Sequence, residues 1–402
     1  MPLFFRPDTA VKNSIPLSLY VHIPWCVKKC PYCDFNSHEK NSSFDEKQYL
    51  KALLIDLDNE YQDSQQRTLS SIFFGGGTPS LFSADSIHHI IEHAKNLFKF
   101  DDIEITLEAN PGTFEQEKFN AFNDAGVNRL SIGIQSFNDS HLTTLGRIHD
   151  RRQALTAIET AKKAGFENIN LDLMFGLPQQ TIQQATEDIT TAGEFDVPHI
   201  SHYQLTIEEN TYFHKHTPVL PESDLIWEMQ TQCQNILIDK QYNQYEISAY
   251  AKTGKQCSHN LNYWHFGDYI GIGAGAHGKL TKTVESLDGS FTGSSNRELT
   301  ITRRWKHRQP LQYIKNTLNG KTLSGEQQLK QKDIVFEFLL NALRLKTGSD
   351  SQTFKKHTGL DYRILKTAVK NIDPSLLFID KNKITTTDKG YLFLNEILEG
   401  LL

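Results

Sequence analysis

The chain has 402 residues, with 42 Lys or Arg against 48 Asp or Glu and a formal charge of -6. That length predicts one large domain and a smaller one with ample sequence for a packed core, which excludes a disordered chain. The acidic balance excludes a protein whose main task is coating nucleic acid or anionic membrane.

Met1 to Pro16 carries Arg6, Asp8 and Lys12 among its apolar residues and lacks a signal-peptide core. No segment approaches the ~18 uninterrupted apolar residues of a membrane span. A soluble, cytoplasmic protein is expected. Five cysteines, an odd number without a secretion signal, point to metal or redox chemistry before disulfides.

Short β-branched or aromatic runs then alternate with helical patterns: Leu17 to Ile23, Ser71 to Phe74, Ile103 to Glu108, Arg129 to Gln135, Asn168 to Phe175 and His199 to Leu205. Intervening helical stretches of ten or more residues are what parallel pairing requires, so the fold class is α/β with six βα steps. Such sheets carry their chemistry at the carboxyl ends of the strands. Beyond them, Leu225, Met229, Cys233 and Leu237 share one helical stripe, which makes Cys233 a core residue. Gln244 to Tyr250 and Tyr269 to Ala274 read as further strands, and Glu285 to Asn296 as an exposed connection. The expected divisions are residues 1–295 for the barrel, 296–329 for a connection and 330–402 for a C-terminal module. That module reads as helices around Ile334 to Leu345 and Tyr362 to Lys370, then Leu377 to Ile379 and Ile384 to Thr386 about a turn, a winged-helix-like α+β order. Its 12 Lys or Arg against 9 Asp or Glu leave no strong phosphate-binding footprint, so no nucleic-acid partner is expected.

Directly after the first strand comes Tyr20-Val-His-Ile-Pro-Trp-Cys26-Val-Lys-Lys-Cys30-Pro-Tyr-Cys33. Pro31 argues against a continuous helix, so the C-x3-C-x2-C thiols line a loop. A structural zinc wants four N/S ligands, and its fourth here would have to be a stray imidazole such as His22 or His38. Three thiolates on a cubane of four irons instead leave one iron open for a ligand.

The spacing and its place after a first strand resemble the signature of the radical S-adenosylmethionine (SAM) superfamily. The resemblance implies a partial (β/α)6 barrel and a 4Fe-4S cluster on Cys26, Cys30 and Cys33. Its open iron would chelate the amino and carboxylate groups of SAM, whose reductive cleavage gives a 5′-deoxyadenosyl radical. Phe74-Gly75-Gly76-Gly77-Thr78-Pro79 lets backbone approach a ligand without a Cβ in the way and resembles the superfamily's glycine motif for the SAM amino group. By resemblance to the oxygen-independent coproporphyrinogen III dehydrogenase-like family, Gly76, Gly77, Thr78, Glu108, Gln135, Arg147 and Asp172 hold SAM, with Tyr20 and Tyr32 flanking the pocket. Taken singly, each of these polar residues reads as well as a barrel-interior hydrogen bond. Gly271-Ile-Gly273-Ala-Gly275 lacks the following helix and acidic residue of a dinucleotide fingerprint and is set aside.

Two details choose among relatives. Where the dehydrogenase carries a further cysteine after its third ligand this chain has Phe35, and 25 residues precede Cys26. Cys257-Ser-His259-Asn260-Leu-Asn-Tyr263-Trp264 matches the H-N-x-x-Y-W motif of the heme chaperone branch. That match implies heme as a third bound group, with His259, Tyr263 and Trp264 as candidate contacts and Cys257 as a competing ligand. A neutral imidazole suits heme iron, and Tyr and Trp offer flat faces with polar edges; as bare sequence, the same residues read equally as barrel packing. The implied function is a carrier that delivers heme to a respiratory or other hemoprotein, including membrane-bound acceptors, with the C-terminal module as a candidate contact. The alternative is an enzyme that decarboxylates coproporphyrinogen III; radical modification of RNA would want a basic stripe that is absent.

Overall fold

The computed structural model describes residues 14–40, 44–112, 116–285 and 297–401. Twelve strands form its main sheet, numbered here in chain order. β1 (Leu17–Ile23), β2 (Ser71–Gly76), β3 (Glu104–Ala109), β4 (Arg129–Gln135), β5 (Asn168–Phe175) and β6 (His199–Gln204) pair consecutively and in parallel, as expected. The remaining strands are β7 (Asn243–Glu246), β8 (Ala249–Ala251), β9 (Asp268–Ile272), β10 (His277–Glu285), β11 (Arg297–Trp305) and β12 (Gly325–Gln328). Their order across the sheet is β12-β11-β10-β9-β1-β2-β3-β4-β5-β6-β8-β7.

The central strands are apolar because helices cover one face and the barrel interior is packed on the other. Every residue of Arg129–Gln135 is buried. Crossover helices start where the sequence caps them: Asp150 and Thr181 form capping boxes with Gln153 and Gln184, and Ser83 caps Ala84–Phe98. In that last helix Ile87, Ile90, Ile91, Ala94 and Phe98 recur on one stripe and are buried against the sheet. Each large side chain there contributes about 1.5–3 kcal/mol. Cys233 is fully buried beside Met229 and Leu237, a core residue as its stripe predicts.

Three expectations change. β9 lies parallel to β1 on the side away from β2, so seven parallel strands, not six, line the interior. The run Gln244 to Tyr250 divides into two antiparallel strands, β7 and β8. Residues 296–329, expected as a connection, hold β11, the helix Pro310–Leu318 and β12 within the same sheet. Charge concealed them: Arg304 and Lys306 are buried, yet Lys306 Nζ reaches Asp56 at 2.5 Å and Glu60 at 2.6 Å on the helix Glu46–Asp63, and Arg304 pairs with Glu60 and Asp63. A hydropathy reading misses a strand whose end, Arg304 and the following Lys306, is buried only because acids ~240 residues earlier neutralise it. The connection expected at Glu285 to Asn296 falls, beyond Glu285, outside the described residues, as does the N-terminal stretch 1–13.

The C-terminal segment follows the expected order. Helices Gln331–Ala342, Ser351–Thr358 and Tyr362–Ala368 precede the hairpin Leu377–Ile379 with Lys383–Thr386, to which Ser349–Asp350 adds a third strand. The middle helix went unread because Phe354 is its one apolar side chain; Asp350 caps it, and Gly359 ends it with a left-handed φ of 74°. Phe338, Leu339, Phe354, Leu365 and Ile384 form a hydrophobic core separate from that of the barrel.

Candidate functional site

The cysteine loop leaves β1 and folds back on itself. Trp25–Cys26 pairs with His38–Glu39, Lys40 N donates to Cys26 O at 2.8 Å, and Cys33 N closes a turn on Cys30 O. Thr78 N donates to Trp25 O at 2.7 Å, which fastens the glycine run to the same loop. A Cβ on Gly77 would lie 2.6 Å from Trp25 O, so only glycine lets this approach occur.

Cys26, Cys30 and Cys33 all face one cavity of about 530 Å³. Among the described residues no set of three or more His, Cys, Asp or Glu converges on a point suited to a single ion. Three thiols that line one cavity suit a multi-iron cluster, with each sulfur on its own iron. Neither proposed fourth ligand changes this. His22 is held at Nδ1 by Tyr20 and at Nε2 by Asn36 O, both at 3.0 Å, while His38 sits in the strand paired with Trp25–Cys26. Burial pushes the Cys26 thiol up to about 11 and raises that of Cys33, so iron must displace protons to bind.

The same cavity is lined by Tyr32, Gly76, Gly77, Thr78, Glu108, Gln135, Arg147 and Asp172. Thus all the residues singled out around the cysteines meet there except Tyr20, which lines two adjoining cavities. Gln135 ends β4 after a bulge, with a left-handed φ of 69°. Tyr203 donates to its Oε1 at 2.6 Å. Arg147 donates to Cys30 Sγ at 3.6 Å, Asn110 Oδ1 at 2.6 Å and Gly133 O at 2.8 Å, and Asn110 donates in turn to Thr78 Oγ1.

Asp172 accepts from Ser131 and Asn170, but its burial still raises its pKa. Glu108 accepts from Gly76 N at 3.2 Å, and burial together with Asp172 pushes it up to about 8. A buried acid so poorly compensated suits a ligand that brings hydroxyl donors or a cation. SAM brings both, so the donor set fits it. Tyr203, Asn110 and Arg344 also line the cavity, and the sequence reading did not single them out. Asn110 lies two residues after Glu108, and Tyr203 lies near a strand end. Arg344, from the C-terminal segment, offers no local signal.

The H-N-x-x-Y-W segment forms the helix Ser258–Trp264, whose His259, Asn260 and Tyr263 line a further cavity together with Glu108 and Asp172. His259 is buried, its Nδ1 bonded to Ser71 at 2.9 Å and its Nε2 to Tyr263 at 3.1 Å, with Phe73 5.0 Å away ring to ring. Burial, with Arg129 nearby, lowers it to about 3, so the ring is neutral. Both nitrogens are engaged, which leaves no lone pair for iron as the side chain stands. Cys257 is also buried, its thiol against Glu104 Oε1 and pushed up to about 12, chiefly by burial. Trp264 reaches the thiol cavity, where Arg344 lies 4.4 Å over its ring and pairs with Glu246 at 3.1 Å.

In the run Gly271 to Gly275, Gly273 N donates to Asp56 and Tyr313, and Gly275 lines a cavity beside Tyr20. No helix among the described residues is long and apolar enough to cross a membrane.

Comparison with known proteins places this arrangement. The radical SAM superfamily model matches residues 20–192. A solved structure described as coproporphyrinogen III oxidase (HemN) from Escherichia coli superposes with a TM-score of 0.78 over 96% of this chain and 90% of its own, at 22% identity, which establishes a common fold. The heme chaperone HemW of Haemophilus influenzae is 48% identical over 96% of this chain and 98% of its own length, and that of Escherichia coli 44% over the same shares. The mouse protein called radical S-adenosyl methionine domain-containing protein 1, mitochondrial, is 32% identical over 99% of this chain and 90% of its length. With a cysteine loop, a glycine run and strand-end acids facing one cavity on this fold, and near-half identity along almost the whole chain, the protein belongs to the HemW family of radical SAM proteins.

Proposed function

We propose that the chain is a heme chaperone: it takes up heme as cargo and passes it to an acceptor hemoprotein. The full-length identity with HemW proteins carries this reading. In it, Cys26, Cys30 and Cys33 hold the 4Fe-4S cluster, and Gly76, Gly77, Thr78, Tyr32, Glu108, Gln135, Arg147 and Asp172 hold SAM, with Tyr20 at the edge. When bound, the cluster and SAM supply one-electron chemistry at the open iron. Arg147 donates to the Cys30 sulfur and fixes its position, and Glu108 and Asp172 keep acceptors turned to the ligand. His259, Tyr263 and Trp264 shape the heme region through packing. Residues 330–402 act as a second unit that the acceptor touches, and the working place is the cytoplasm, at the membrane face where respiratory acceptors sit.

The test is anaerobic reconstitution with iron and sulfide, followed by a heme titration read by absorbance and a coproporphyrinogen III turnover assay on the same sample. Saturation near one heme per chain without CO2 release is the expected result. Stoichiometric CO2 release without tight heme binding would make the protein a dehydrogenase, despite Phe35.

A further inference from the structure

A second cavity of about 520 Å³ adjoins the thiol cavity and shares Phe35, Gly76 and Glu108 with it. Its size is ordinary for an organic ligand, which sites of ~300–1,000 Å³ accommodate. Its walls are aromatic: Tyr20, Phe35, Tyr263 and Tyr269, the last two in edge contact with centroids 4.5 Å apart. Phe35 is 60% exposed, an apolar ring left at the mouth without a covering partner.

His22 and His277 both line this cavity, but His22 has each nitrogen bonded. His277 begins β10 and stands exposed, and neither ring nitrogen has a hydrogen-bond partner among the described residues. Desolvation, with Arg303 and Arg308 nearby, lowers its pKa. Arg303 is paired with Glu337 and Tyr269, whereas Arg308 makes no ion pair among the described residues. The Arg308 backbone is fixed, because Asn36 from the cysteine loop donates to its carbonyl at 2.8 Å.

We infer that this second cavity is the heme site, with His277 as an axial ligand to iron, Arg308 meeting a propionate, and the rings of Phe35 and Tyr269 against the macrocycle. An iron porphyrin is a flat apolar plate with two carboxylates on one edge and an iron that takes a neutral imidazole. The cavity presents a counterpart to each: aromatic walls, an unpaired guanidinium and a free imidazole. His259, by contrast, would have to break two buried hydrogen bonds to reach a metal. The inference rests on the heme chaperone reading and assigns the site within it.

The experiment uses the full chain with its cluster reconstituted, titrated with ferric heme under nitrogen. For His277→Ala, heme binding weakens by about tenfold or more, equivalent to at least ~1.4 kcal/mol; the Soret band shifts, SAM binding is unchanged, and added imidazole restores the wild-type spectrum. Arg308→Gln weakens binding while keeping the ligand spectrum. A His277→Ala protein with unaltered affinity and spectrum overturns the assignment, as does joint loss of heme and SAM binding. If the unmodified chain takes up no heme, the chaperone reading itself fails and this site with it.

Discussion

The two ends of the barrel hold similar side chains in opposite states. At the amino ends of the strands, Asp268 accepts from Arg67, Lys279 and Thr281, and His259 joins Ser71 to Tyr263. At the carboxyl ends, three thiols, Glu108 and His277 face open cavities with few partners. Polar residues that satisfy one another hold a fold, and those left short of partners are the ones prepared for a ligand.

That contrast can be broken from either side. The largest effect is expected for Cys30→Ser, which abolishes cluster assembly, seen as loss of the brown chromophore, while the unfolding free energy moves by no more than about 1 kcal/mol. At the other end the ranking reverses. Asp268→Ala leaves two buried cations uncompensated and costs about 3–5 kcal/mol in denaturant unfolding, yet survivors that fold still bind a cluster. Glu108→Gln sharpens the comparison through pH. Its folded pKa of about 8 lies above the ordinary carboxylate value near 4.5, so the native state binds the extra proton and the wild type loses stability as pH rises from about 4.5 to 8. The variant should therefore melt higher than wild type above pH 8, by an amount on the order of a few kcal/mol, with the advantage vanishing below about pH 4.5. Smallest is Tyr263→Phe, which removes one buried hydrogen bond to His259 and costs about 1 kcal/mol by thermal unfolding. Because Tyr263 also lines the second cavity, a heme spectrum altered in this variant would report on that wall and not on ligation by His259.

How much of this was legible in the sequence follows from distance along the chain. The cysteine loop was readable because its chemistry is contiguous, eight residues from first thiol to last. Glu108, Gln135 and Asp172 were readable as polar residues in strands that periodicity locates, and the structure brings them to one cavity. β11 was hidden by its charges, since only the helix Glu46–Asp63 explains why Arg304 and Lys306 can be buried. His277 and Arg308 carry no motif that distinguishes them; antiparallel pairing of β10 with β11 puts both at one rim. His259 stood out as a motif, but the state of its two nitrogens depends on Ser71, 188 residues away.

Arg344 carries one more consequence. It belongs to the C-terminal segment, yet it covers a face of Trp264 and neutralises the buried Glu246, while Lys346 N donates to Tyr245 O along the same seam. A chain cut before residue 330 would strip an aromatic wall bare and strand a carboxylate in the interior. The barrel is thus no detachable cassette: its cavity is finished by the last fifth of the polypeptide, and a partner that shifted that segment would reshape the wall from outside.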